Sequence, residues 1–204
     1  MRLALFFTYG MSLEKWAKIG SLSREIKPYQ MLAKKFDQVY FFTYGSKKDL
    51  NFKSKLGDGI IVLPKKLDIP NCLYGFLIPF FYWKELKSVD VLKTNQMAGA
   101  IPAVIAKLIF KKKLIVRNGY EWLSVLINEK KVVWKIVVAY TWEKVAYKVS
   151  DIVVFTSLKD KAFAKEKFKI PERKIKIVPN YMDTTLFKPQ DIEKEKGRVV
   201  FVGR

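Results

Sequence analysis

The chain has 204 residues, half of them hydrophobic, which is enough to build a core and too apolar for a disordered segment. Lysine and arginine number 39 against 19 acidic residues, a net charge of +20, which favours phosphorylated small molecules, anionic lipid or nucleic acid as partners. There is no histidine and one cysteine, Cys72, which excludes imidazole acid–base catalysis, Ser-His triads and an internal disulfide and argues against a zinc site.

Apolar runs of strand length alternate with longer helix-like stretches. Residues 3–7 form the first run; Thr8-Tyr9-Gly10 ends it and no small-residue cleavage site follows, so it reads as a buried strand and not as an export signal. A reducing cytoplasm is the expected location. A helix follows over residues 23–36, with Ser21 or Ser23 as N-cap. Further strands are expected at residues 39–43, 59–63, 89–93, 114–117, 152–155 and 175–178, and an eighth at 199–202. Helices are expected at about 97–110, 129–150 and 159–168. The strands are β-branched or aromatic and do not alternate with polar residues, so both faces are covered. Strand–helix alternation makes a doubly wound, mostly parallel α/β sheet with helices on both faces. Ligands bind such sheets outside the carboxyl ends of the strands. The loops that matter therefore begin at Thr8, Thr43, Thr94, Asn118, Thr156 and Asn180.

Two stretches have two readings. Residues 69–83 are apolar and aromatic, too short as a helix for the hydrocarbon core and punctuated by Pro70 and Pro79. They form either a buried helix or an exposed patch that meets lipid or a lipid-linked substrate. The helix carrying Trp134, Tyr140, Trp142 and Tyr147 among Lys130, Lys131, Lys135, Lys144 and Lys148 either packs on the sheet or meets a membrane interface.

Several groups fall at the ligand edge. Gly20-Ser21 lies between the first strand and its helix, where a glycine and hydroxyls at a helix start let backbone N–H groups approach an anion or a sugar. No Gly-x-Gly-x-x-Gly or phosphate-loop pattern is present. Asn95-Gln96 follows the fourth strand; Arg117-Asn118-Gly119-Tyr120-Glu121-Trp122 follows the fifth. Amides, an arginine, a carboxylate and aromatic rings are the chemistry of sugar recognition.

The most specific segment is the last. Ala146-Tyr147-Lys148-Val149-Ser150-Asp151, Val178-Pro179-Asn180-Tyr181-Met182-Asp183, Phe187-Lys188-Pro189 and Val202-Gly203-Arg204 follow one another in that order. This series resembles the family-four glycosyltransferases of the GT-B fold, whose amino-terminal domain closes on such motifs and whose second domain opens on a strand ending Val-Gly-Arg. The resemblance implies a Rossmann-like amino-terminal domain over residues 1–188, a charged linker over 189–198, and at 199–204 the first strand of a second, truncated domain. It implies a retaining transfer of a hexose-type sugar from a nucleotide-sugar to an acceptor held by the first domain. It places Gly20 near the donor phosphates and Arg204 in the cation pair on the diphosphate. Asn180 and Asp183 belong to its interdomain turn, whose usual glycine is Tyr181 here. The family's histidine after the fifth strand is replaced by Arg117-Asn118-Gly119, so either Asn118 takes over that contact or the chemistry is arranged differently.

The expected site set is therefore Gly20, Ser21, Asn95, Gln96, Arg117, Asn118, Glu121, Asn180, Asp183 and Arg204, with no metal and no bound cofactor beyond the nucleoside-diphosphate sugar as co-substrate. Expected partners are that donor, a glycan or lipid-linked acceptor of the envelope, and an anionic membrane surface on its inner face, but no nucleic acid, since no helix-turn-helix, RNA-binding strand motif or basic tail is present. The competing reading is a non-catalytic doubly wound binding module at a membrane or a partner protein. Without a complete donor site, the chain is expected to be inactive alone.

Overall fold

The computed structural model describes residues 1–119, 122–184, 187–189 and 197–201. Seven strands build one sheet: β1 (Arg2–Phe6), β2 (Gln38–Phe42), β3 (Ile60–Leu63), β4 (Val91–Thr94), β5 (Lys113–Asn118), β6 (Ile152–Phe155) and β7 (Ile175–Ile177). Their order is β3-β2-β1-β4-β5-β6-β7 and every pair is parallel. This is the doubly wound α/β Rossmann-like arrangement that the sequence predicts, with each strand within two residues of its expected start.

The connecting helices are α1 (Leu13–Lys18), α2 (Leu22–Ala33), α3 (Lys53–Leu56), α4 (Asn71–Phe81), α5 (Trp83–Ser88), α6 (Ala100–Phe110), α7 (Trp122–Asn128), α8 (Val133–Val149) and α9 (Leu158–Phe168). Crossovers between parallel strands are right-handed. Winding leftward from β1 to β3 therefore puts α1–α3 on one face, the front, and winding rightward from β4 puts the later helices on the back. Two cores follow. On the front, Leu3, Leu5 and Phe7 meet Leu13, Trp16, Ile26 and Tyr29; on the back, Ala4, Phe6, Leu92, Val116 and Phe155 meet Tyr74, Ile78, Ala103 and Ala146. Trp16 stacks on Phe7 at 4.2 Å between ring centroids, which fixes the loop after β1. No residue of β5, β6 or β7 belongs to the front core.

Local chemistry explains where the structure departs from the sequence reading. Helix α1 occupies a stretch expected to be loop; the Ser12 hydroxyl caps it by accepting from Lys15 N at 3.0 Å. Ser21 holds the N-cap position of α2, but its hydroxyl points back to the Trp16 carbonyl. The helix expected over 129–150 is α8, starting four residues later, and a second helix, α7, precedes it where none was expected. Lys130 adopts a left-handed φ of 49° and closes α7, and no glycine or proline in the sequence marks that break. The buried carboxylate of Glu143 on α8 then accepts from Leu123 N at 3.2 Å, at the first turn of α7, which locks the pair together. In the 69–83 stretch, α4 is partly buried: it buries Tyr74 and Ile78 while Leu73, Phe76 and Phe80 face outward. Val199, Val200 and Phe201 lie in no strand and are exposed. Residues 202–204, with most of the expected linker, fall outside the described residues.

Among the glycines of the described residues, the closest approach to backbone lies between β1 and α6. A Cβ on Gly99, at the entry of α6, would stand 2.5 Å from the Phe7 carbonyl oxygen. That neighbour is backbone and cannot rotate away. Gly99→Ala is expected to destabilise the chain by about 1–3 kcal/mol, read as a lower urea midpoint at unchanged slope.

Candidate functional site

Strand β1 has β2 on one side and β4 on the other. The chain leaves β1 towards the front and β4 towards the back, so the two loops diverge and leave an opening at the carboxyl edge. Its walls are Thr8 and Gly10 after β1, Asn95 and Gln96 after β4, Arg117 near the end of β5 and Gly119 after it. Gly10 takes a left-handed φ of 71°, with the Asn71 amide 3.4 Å from where a Cβ would stand.

One hydrogen-bond network builds this edge. Asn95, almost fully buried, accepts from the Tyr29 hydroxyl at 3.2 Å and donates towards Thr8 Oγ1 at 3.5 Å. The Lys93 ammonium donates to Tyr29 Oη at 3.0 Å and to the Thr94 carbonyl at 3.3 Å. Arg117 donates from one Nη to the Asn95 carbonyl at 2.9 Å and from the other to Asn180 Oδ1 at 2.6 Å, while its backbone N–H is held by Thr94 Oγ1. Gln96 Oε1 accepts from Gly119 N at 2.7 Å, and a Cβ on Gly119 would strike that oxygen. The loops after β4, β5 and β7 are thus tied into one surface by neutral amides and one guanidinium.

The expected site residues fall into five groups. Asn95, Gln96, Arg117 and Asn180 come together as described. Asn118 lies beside them but turns inward: it is fully buried on the back, donates to Tyr147 Oη at 2.5 Å, and its Oδ1 has no partner among the described residues. Gly20 and Ser21 form the α1–α2 turn, with Gly20 exposed at φ 70° and no hydrogen bond to this network. Asp183 accepts from Phe187 N at 2.9 Å through its carbonyl, just beyond the Asn180 loop. Glu121 and Arg204 lie outside the described residues. The sequence reading missed Tyr29 and Lys93. A lysine inside an apolar strand is a signal that was available, because it breaks a run otherwise meant for burial. Tyr29 carried no such mark, since an aromatic on a helix reads as core.

Electrostatics single out Lys93. Burial, then the neighbouring Arg117 charge, push its ammonium down to about 7, with Glu25 opposing weakly. Burial also holds the Tyr29 phenol protonated, well above its ordinary range. Two hollows of about 410 and 360 Å³ involve no residue of this network, the first lined by Trp83, Lys87, Ile109, Phe110 and Lys112 and the second by Leu123, Ile127, Ile136, Val137, Tyr140 and Lys167. Among the described residues there is no cluster of metal-ligating side chains, and no helix is long and apolar enough to cross a membrane.

The fold and its carboxyl-edge opening define a Rossmann-like α/β domain of the type found as one half of GT-B proteins. Solved structures of Anabaena Alr3699/HepE share it. The complex with UDP-glucose superposes at a TM-score of 0.61 with 14% identity, covering 93% of this chain and 46% of that one. The complex with UDP gives 0.58 and 13%, covering 94% and 47%, and the complex with UDP and glucose gives 0.58 and 16% over the same shares. The chain thus spans about half the length of the solved structures it matches. No protein-family pattern matches the sequence, and neither does any curated relative.

Lys93 binds its proton less tightly in the folded chain than in the unfolded one. Between about pH 7 and the ordinary lysine range, the unfolded state therefore holds more protons, and stability rises with pH across that window. Below pH 7 the folded chain carries the whole cost of the charge. Lys93→Met keeps the stem and removes the charge. It is expected to raise Tm by about 2–4 °C at pH 6, about 1 kcal/mol for a chain of this size, with the gain shrinking towards pH 10 in scanning calorimetry.

Proposed function

We propose that this chain is the acceptor-side half of a retaining, nucleotide-sugar-dependent glycosyltransferase of the GT-B type, and that residues 199–204 open its second domain. The observation that carries this reading is the opening at the β1/β4 edge, lined by Asn95, Arg117 and Asn180, in a domain whose fold matches half of a protein that binds UDP-glucose. In the reaction, the bond between the sugar's anomeric carbon and the phosphate oxygen breaks. A bond from that carbon to an acceptor oxygen forms, and the acceptor proton leaves. The departing diphosphate needs cations and fixed hydrogen bonds more than it needs a histidine base. A chain with 39 basic residues and no histidine suits that chemistry. No metal or tightly bound cofactor enters this reading; the nucleoside-diphosphate sugar is a co-substrate.

The proposed acceptor is a hexose-accepting glycan or lipid-linked sugar of the cell envelope, met at the inner face of the membrane. Helix α8 supports this. Its outer stripe is apolar and exposed, with Val133 at 75%, Trp134 at 64%, Val137 at 55% and Val138 at 52%, and Lys130, Lys131 and Lys135 rim it. The chain passes from the carboxyl end of β5 through the short α7 into α8 and leaves α8 for the start of β6, so α8 begins on the carboxyl side of the sheet. The apolar turn therefore stands on the same side of the sheet as the opening, which suits an acceptor presented by a bilayer.

Two experiments test this. The gene's uninterrupted reading frame, expressed and incubated with radiolabelled UDP-glucose and envelope lipid extract, is expected to move label into lipid or polymer and release UDP. Intact donor with every nucleotide-sugar tried, in the presence of the extract, would refute transfer. In vesicle flotation at low salt, the chain is expected to bind anionic phosphatidylglycerol vesicles at least about tenfold better than neutral ones, since each basic residue near the surface contributes about 1 kcal/mol. Trp134→Ser with Val137→Ser should abolish most of that binding; equal binding to both vesicle types would refute the membrane part.

A further inference from the structure

Lys93 on β4 and Arg117 on β5 project from the same face of the sheet and donate to consecutive carbonyls, Thr94 and Asn95. Like charges at that spacing repel each other. The groups that face the ammonium are the Tyr29 hydroxyl from α2, the Thr94 carbonyl of its own strand, and the Arg117 guanidinium from β5. Glu25, one turn before Tyr29 on α2, is the acid whose charge reaches it, and Glu25 is already paired with Arg24 at 2.8 Å. Among the described residues, no carboxylate stands within ion-pair distance of Lys93 or Arg117. Elsewhere two partly buried lysines meet acids, Lys107 with Asp151 at 2.5 Å and Lys161 with Glu172, while Lys65 and Lys174 spend their donors on carbonyls and an amide; Lys93 differs from these in sharing its surroundings with a second cation, Arg117.

Partly buried cations without counter-charges mark places where a ligand supplies the charge. Both side chains stay partly open to solvent and both have donors to spare. The ammonium has three N–H groups and gives two of them to the protein; the guanidinium has five and also gives two. Two fixed positive charges at one opening match a dianion and leave a neutral sugar hydroxyl a poor complement. We propose that Lys93 and Arg117 form a binding site for a phosphate-type dianion at the β1/β4 opening, with Tyr29 positioning the ammonium. This deepens the transferase reading, where such a group is carried by the diphosphate of the donor or by that of a lipid-linked acceptor. Because Lys93 releases its proton near pH 7, the site is fully charged below neutrality and loses half its charge above it. A bound dianion holds that proton on, so affinity falls as pH rises.

The test uses sulfate, which stays a dianion throughout. Titrated into the chain and followed by the amide resonances of Asn95, Gln96 and Gly119, it should give saturable shifts. Binding should be about tenfold weaker at pH 8.5 than at pH 6, since little more than a few per cent of Lys93 then carries its proton. Lys93→Met, with its folding checked by its melting curve, should lose about that factor at pH 6 and flatten the pH profile. Lys84→Met, on α5, should change neither. Competition then separates the sources: displacement of sulfate by UDP points to the donor, and displacement by geranyl diphosphate points to the acceptor. The proposal is overturned if those amides do not saturate with sulfate, if Lys93→Met binds with unchanged affinity and pH profile, or if neither diphosphate competes. Sulfate binding requires no sugar transfer, so the site and the transferase reading fail separately.

Discussion

Strand β1 sits between two partners whose crossovers leave in opposite directions, and the rest of the molecule depends on that arrangement. Both neighbours run parallel to it, so neither is joined to it by a tight turn, and each connection must travel over a face of the sheet. Because one travels over the front and the other over the back, the carboxyl end of β1 is the one place where the covering layers part. Gly99 lets α6 start directly against the Phe7 carbonyl, and Trp16 stacks on Phe7 from the other side. The gap between them is narrow, rigid and faced by backbone, so polar side chains gather there: they find backbone donors and acceptors that the sheet has not used.

Much of this was written in the sequence. Most strands are apolar runs, and a parallel sheet covered on both faces over most of its area leaves little else for them to be. The loops after them carried the amides and the arginine that the structure joins into one network. What escaped was local or three-dimensional. Helix α1 is six residues long, below the length at which periodicity speaks, and rests on a serine cap and one tryptophan. The α7–α8 break depends on a lysine in a left-handed conformation, a role composition usually assigns to glycine. Asn118 looked outward from its place in a loop motif, yet the strand runs one residue further than expected and its alternation turns that side chain inward. Lys93 and Tyr29 are 64 residues apart and meet only because Tyr29 reaches from α2 across the front of the sheet to β4.

The surface tells a second story about charge. Lysines end helices, rim apolar faces and extend as stems over aromatic rings, as Lys66 does over Tyr82 and Lys144 over Tyr140. Most of the excess charge is therefore solvated and spread out, and acts as a weak general field. Lys93 and Arg117 differ because their charges are fixed in position by hydrogen bonds, at an opening, without local neutralisation. A diffuse field draws anions to a surface, but only fixed donors orient them. That distinction separates the lysines that matter for recognition from those that keep the protein in solution.

The strand order also sets a timetable for synthesis. Strand β1 is interior to the sheet and is made well before its second partner, β4, which ends only at Thr94. Until then β1 and β2 form a small sheet with one open edge at its very centre, where Ala4 and Leu5 offer unpaired backbone. Every pairing in the sheet spans a crossover, so contacts are distant along the chain and ordering is slow compared with a hairpin protein of this size. A nascent chain emerging from the ribosome therefore displays an apolar template for strand addition until β4 has been made, and during that interval it depends most on chaperones and on the solubilising power of its own lysines.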